Sequence, residues 1–275
     1  MKTTSKTGSG KKTTSGTKEW ADSNVNCYYG CSNNCRYCYA KMMAIRFKRE
    51  TEYTWMAMEP NYKAINKNYK KRKGRVMFPS SHDITPESLE SCLIVLKKLL
   101  KAGNRVLITT KPNPECILEI IRLGKYRTQL GKYKDLIQFR FTITSISENT
   151  LKFWEPNAPS FKERMDSLLM AYMKGFKTSV SIEPFLDRDP TNLIRKVAPY
   201  CTESIWLGKM NYIRVNGIPM EEKEYYDKIK SISSWTNIQK IVEKIRTLPE
   251  NIKSKVRLKD SIVNMYHKQD LEVKI

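Results

Sequence analysis

No apolar run in the chain approaches the roughly 18 consecutive residues of a membrane-spanning helix, and no hydrophobic leader precedes its cysteines. A membrane span and a secreted disulfide framework are therefore not expected, and the seven cysteines, an odd number, argue the same way. Histidine is scarce, with two residues in 275, and a lone histidine such as His82 is more often structural than catalytic. Negative charge is also in short supply: 28 Asp and Glu stand against 50 Lys and Arg, for a net charge of +22. A surface this basic attracts polyanions, so a nucleic-acid partner is one expectation and a merely solvated basic surface the other. Reduced cysteines place the protein in the cytoplasm, and a monomer is expected.

The chain does have three thiols crowded into eight residues, Cys31-Ser-Asn-Asn-Cys35-Arg-Tyr-Cys38. One short loop with this spacing can turn all three sulfurs onto one face of an iron-sulfur cube. Electron carriers close a [4Fe-4S] cluster with four thiolates, so three ligands leave one iron open to a small molecule. The competing reading adds Cys27 and makes a four-cysteine zinc site with a non-catalytic, nucleic-acid-binding role. Zinc sites usually pair two close units across a longer connection, whereas these cysteines are strung along one loop.

Around that loop the sequence alternates strand and helix. Residues 1–20, rich in Lys, Thr, Ser and Gly, read as a disordered basic tail. Strands are expected over 24–28, 75–79, 105–109, 137–144, 178–182 and 204–207. Helices are expected after Tyr39 and over 86–102, 114–123, 161–174 and 191–197. This order implies an α/β fold with parallel strands and right-handed crossovers, a partial (β/α)6 TIM-type barrel spanning 21–215. An excursion at 50–73 interleaves Tyr53, Trp55, Tyr62 and Tyr69 with six cations from Lys63 to Lys73, a composition that suits single-stranded nucleic acid. The same aromatics would otherwise pack on the barrel. Residues 216–275 form a C-terminal helical extension, with 221–246 charged and helical and 256–275 unassigned.

The CxxxCxxC loop, with Tyr37 before its last cysteine, resembles the signature of the radical S-adenosylmethionine (SAM) superfamily. Together with Lys111 and the 145–164 run, it resembles the group related to spore photoproduct lyase. The resemblance covers about residues 24–211 and implies a [4Fe-4S] cluster on Cys31, Cys35 and Cys38 that cleaves SAM reductively. A reductase or flavodoxin-type electron donor would serve it. It further implies SAM contacts at strand ends, where such sheets gather their chemistry: Tyr37, Ser80, Ser81, Asp83, Lys111, Ser145, Arg164, Glu183 and Asn211. Asp83 serves equally well in the sequence as the cap of the next helix. Tyr37 and Tyr39 match the tyrosines that, in the lyase, belong to the hydrogen-return path. The lyase cysteine of that path falls on Ser80, and a hydroxyl is a far poorer hydrogen-atom donor than a thiol, so the resemblance carries a different substrate with it.

Overall fold

Along the strand Ile137–Thr142, Phe139 and Phe141 turn one way into an apolar cluster with Phe176, whose ring lies 5.3 Å from that of Phe139. Gln138 and Arg140 turn the other way and donate to the Ser179 hydroxyl of the next strand. This period of two separates a greasy outer face, covered by helices, from a polar interior. Burying a Phe or Ile side chain on the outer face stabilises the fold by about 1.5–3 kcal/mol.

The structure is a computed structural model describing residues 16–128 and 131–275. Residues 1–15 of the expected tail lie outside the described residues. Seven strands make one sheet: β1 (Ser23–Asn24), β2 (Arg75–Phe78), β3 (Arg105–Thr110), β4 (Ile137–Thr142), β5 (Lys177–Ile182), β6 (Ile205–Leu207) and β7 (Val256–Leu258). They pair in sequence order, each parallel to its neighbour. Parallel neighbours need crossovers, and the principal helices between the strands supply them. These are α1 (Tyr39–Arg46), α2 (Leu89–Lys101), α3 (Pro114–Leu123), α4 (Glu148–Trp154), α5 (Phe161–Met173) and α6 (Thr191–Val197). Local chemistry sets their starts. The Ser160 and Glu163 side chains form a capping box at α5, and Asn113 caps α3 with Pro114 in its first turn.

The result is a partial TIM-type barrel of seven strands, one more than the sequence pattern implied. The added strand, β7, lies in the stretch left unassigned, and α7 (Lys223–Ile232) and α8 (Trp235–Arg246) fill the charged segment before it. Among the described residues β1 and β7 remain the two sheet edges. The segment before β1 bridges the seam between them. Glu19 pairs with Lys259, just past β7, at 2.9 Å, and Trp20 packs edge-on against Trp206 at 5.9 Å. Gly16–Glu19, assigned from the sequence to the tail, is thus a 3-10 turn tied into the barrel.

The excursion at 50–73 divides between the two readings of it. Trp55 is buried and packs with Cys31 and Ala44 beneath the cysteine loop, and Tyr69 donates to the Ala64 carbonyl at 2.9 Å. Tyr53 and Tyr62 project outward, 94% and 67% exposed.

Candidate active site

The loop bearing Cys31, Cys35 and Cys38 enters through a glycine. Gly30 has φ +78°, and a Cβ there would lie 2.2 Å from the Trp55 carbonyl oxygen, which accepts the Cys31 N–H at 2.8 Å. Only glycine takes this backbone shape beside another backbone without strain. Asn34, at φ 46°, supplies the second left-handed turn. Cys38 then caps α1, its sulfur accepting the Lys41 N–H at 3.4 Å, so the positive end of the helix faces that sulfur.

All three thiols line one cavity of about 700 Å³ at the carboxyl ends of the strands. Burial pushes Cys31 up to about 12, helped by Asp83 and Cys38, and burial pushes Cys35 higher still. Burial disfavours the thiolate forms of Cys31 and Cys35, and bound metal cations would favour them. Among the described residues no group of three or more His, Cys, Asp and Glu is placed to hold a metal ion. Cys27 faces elsewhere. Its sulfur lies 3.7 Å from that of Cys92 and 3.8 Å from His82 Nε2, within the apolar core. His82 itself is structural: Nε2 accepts the Cys27 N–H, which leaves Nδ1 to donate to the Asp83 carbonyl.

The loop is braced on two sides. On one side Asp83 accepts from Asn33 Nδ2 at 2.9 Å, from the Lys111 N–H at 3.0 Å, from the Ile84 N–H and from the Thr110 hydroxyl. This carboxylate is filled by protein donors. It acts as a strut between the loop and the end of β3, and it does not cap the helix that follows, as one reading of the sequence had it. The cap before α2 is a Thr85–Ser88 capping box. On the other side Glu155, fully buried, accepts from the Tyr37 hydroxyl and from Thr144, and pairs with Arg164 at 2.5 Å. Burial would raise the Glu155 carboxyl, but Arg164, Lys111 and these hydrogen bonds outweigh it and hold it below its ordinary value. Arg36 locks the back of the loop, donating to the Phe153 carbonyl at 2.7 Å and pairing with Glu222.

Of the residues singled out from the sequence, Tyr37, Tyr39, Ser80, Ser81, Asp83, Lys111, Glu183 and Asn211 line the cavity with the three cysteines. Ser145 and Arg164 do not. Ser145 donates to Asp187, and Arg164 is spent on Glu155 and on the Pro159 and Thr142 carbonyls. A hydroxyl or guanidinium after a strand is a weak signal, because the same groups serve to hold loops. Asn26 arranges the turn after β2, its Oδ1 accepting the Ser80 and Ser81 N–H groups at 2.7 and 3.0 Å. Burial disfavours a charged Lys111, yet Cys35, Tyr37, Glu155 and Asp83 outweigh burial and raise it well above its ordinary value. It is a firm cation at the cavity wall, 5.7 Å from the Tyr37 ring. At the mouth Tyr39 and Tyr212, both over half exposed, stack at 5.9 Å. Sequence reasoning missed Glu155 as a hub, Asn33 as the strut's partner, and Lys259.

No family model matches the chain. It is 28% identical over 201 residues to an uncharacterised protein of Acidianus two-tailed virus, covering 69% of this chain and 61% of that one. It is 27% identical over 163 residues to an uncharacterised protein of Methanocaldococcus jannaschii, covering 59% and 60%. The chain thus spans about three fifths of the length of the curated relatives it matches. Among solved structures it is similar to spore photoproduct lyase complexed with dinucleoside spore photoproduct. The TM-score is 0.47 and the identity 14%, over 76% of this chain and 60% of that one. It is also similar to SuiB of Streptococcus suis bound to S-adenosylmethionine, with a TM-score of 0.45 and 9% identity over 76% and 43%. The likeness is to the course of the chain alone, and it assigns no residue a role.

Proposed function

We propose that the protein is a radical SAM enzyme whose cluster is held by Cys31, Cys35 and Cys38. The observation that carries this is that those three thiols all line one large cavity at the strand ends, together with Lys111. Held by these three cysteines, a [4Fe-4S] cluster would supply one-electron reductive chemistry toward SAM. The protein's share is to hold and shield. Lys111 offers a fixed cation to the carboxylate of the cofactor, the Asn26-ordered turn at Ser80 and Ser81 offers hydroxyls beside it, and the buried loop keeps water from the sulfurs. The two struts, Asp83 to Asn33 and Glu155 to Tyr37, fix the loop before any ligand arrives. A reductase or flavodoxin-type protein would deliver the electron.

The zinc alternative loses its fourth ligand, since Cys27 is turned to Cys92 and His82. For the substrate we favour a nucleic acid. The net charge, the outward Tyr53 and Tyr62 among exposed lysines, and the exposed Tyr39–Tyr212 stack support that reading. Anaerobic reconstitution with iron and sulfide, followed by dithionite and SAM, should yield 5'-deoxyadenosine. Replacing Cys31, Cys35 or Cys38 with Ala should abolish it, while Cys27→Ala keeps it. A colourless protein that takes up only zinc, or product that depends on Cys27, overturns the proposal.

A further inference from the structure

At the cavity that the cysteines line, three neighbouring strands end in register. Ile182, Leu207 and Leu258 are paired partners on β5, β6 and β7, so Glu183, Gly208 and Lys259 follow as the next row. The middle residue has to be glycine. A Cβ on Gly208 would lie 2.9 Å from Glu183 Cγ and 3.1 Å from Lys259 Cβ, so the missing side chain is what lets the acid and the amine approach over the strand between them. Lys259 is buried, at 1% exposure, with Nζ 2.9 Å from Glu19, 3.0 Å from the Gly16 carbonyl and 4.0 Å from Glu183. It also lies over the Trp20 ring at 4.5 Å. Glu183 keeps 21% of its side chain open and lines the cavity.

We propose that Glu183 is the group that exchanges a proton with the substrate in this cavity, and that Lys259 is its positioning residue. This rests on the enzymatic reading above. The substrate class is one whose conversion makes or breaks an O–H or N–H bond. In the donating direction the carboxyl O–H bond breaks, its electron pair stays on the carboxylate, and the proton forms an O–H or N–H bond on the substrate. No oxidant or reductant enters this step. The new carboxylate remains beside the Lys259 ammonium, which limits the cost of charge in a desolvated place.

The surroundings poise this carboxyl near neutrality. Burial raises it to about 7, Asp260 and Glu19 push in the same direction, and Lys259 and Arg140 oppose them. Those four groups come from the turn before β1, from β4, and from the end of β7 and the start of α9 (Asp260–His267), and they are the charged neighbours that set the balance. A proton exchanger works best when its own value lies close to the working pH.

Two measurements on the full chain test this without iron or SAM, so their failure is separate from failure of the enzymatic reading. In infrared difference spectra, a protonated carboxyl should titrate near pH 7 in the wild type and be missing from Glu183→Gln. Lys259→Met should move its midpoint upward by about one unit, because a favourable cation is removed. In the second measurement, carbodiimide coupling to a small amine, mapped by mass spectrometry on the wild type, should mark Glu183 and leave buried Glu155 untouched. The wild-type labelling needs no variant to fold. A carboxyl titrating in the usual range between 4 and 5, a midpoint unmoved by Lys259→Met, or absence of label on Glu183 would overturn the proposal.

Discussion

The phenol of Tyr37 donates its hydrogen to the carboxylate of Glu155, which lies 118 positions further along the chain. That bond ties the cysteine loop to the C-terminal end of α4, which Glu155 caps, and its strength depends on Arg164, which holds the other carboxylate oxygen at 2.5 Å. Glu155→Gln leaves the buried Arg164 guanidinium without a counter-charge. The expected loss of stability is about 3 kcal/mol, read from the midpoint of urea unfolding. The double variant Glu155→Gln with Arg164→Met should recover part of that loss, because no lone charge is then buried. A midpoint unchanged in the single variant would show that the pair contributes nothing.

The same pair sets a pH dependence. The Glu155 carboxyl is depressed in the folded protein, so its contribution is complete above the ordinary glutamate value of about 4.3. It is lost as the pH falls through the lower, folded value. Between about pH 5 and pH 3, wild type should lose stability faster than Glu155→Gln. Parallel stability curves for the two proteins would contradict this.

Asp83 is expected to matter through the loop it props. Asp83→Ala removes the acceptor for Asn33, Thr110, Ile84 and Lys111 at once. Each buried donor left unpaired costs about 1–3 kcal/mol. The outcome should be a less stable protein that holds less iron after reconstitution, even though Asp83 is not one of the three cysteines. Thr85→Ala, which breaks the capping box before α2 and a contact to the Met58 sulfur, should cost about 1 kcal/mol and leave the iron content intact. Equal iron loss in both variants would mean that the helix start, and not the strut, organises the loop.

Much of the barrel could be read from the sequence because its strands and helices carry their own periodicity. Ile137–Thr142 alternates cleanly, and Pro114–Leu123 has a cap and a proline at its start. Val256–Leu258 carries no such mark: three residues flanked by lysines cannot show a period, and the strand exists because β6 offers it an open edge. The site divides along the same line. Cysteine spacing is a local property, so the three thiols could be named in advance. Glu155 carries no mark of a hub in the sequence, since Tyr37, Thr144 and Arg164 meet it only after folding, and Lys259 lies beyond the last expected strand. Ser145 and Arg164 were misplaced because hydroxyls and cations after a strand serve a loop as often as a ligand.

Gly30 offers a sharper test of the loop's entry. Its left-handed backbone costs a residue with a side chain about 1–2 kcal/mol, and the Trp55 carbonyl leaves no room for a Cβ. Gly30→Ala should therefore destabilise the protein by more than that backbone cost, and iron uptake should fall with it. Gly217, at φ +62° with only the far end of the flexible Arg214 side chain, at 3.2 Å, near an added Cβ, is the matched control. Gly217→Ala should pay about the backbone cost and keep its iron. Similar unfolding midpoints for the two variants would show that the Trp55 carbonyl does not constrain the loop.

The basic excursion can be tested by charge without any knowledge of the reaction. Lys63, Lys67 and Lys70 are exposed in the same segment as the outward Tyr62, and lysines that neutralise phosphates release counterions on binding. Reversing all three to Glu should weaken binding of a single-stranded oligonucleotide. It should also flatten the slope of log K against log salt by roughly 2, at about 0.7 for each phosphate no longer neutralised. Tyr62→Ala should weaken binding by about 1–3 kcal/mol and leave that slope where it was, because stacking releases no ions. The two effects separate the electrostatic share of the surface from its aromatic share. If the triple reversal leaves the slope unchanged, the lysines are only a solvated surface, and the polyanion must be sought along another face of the barrel.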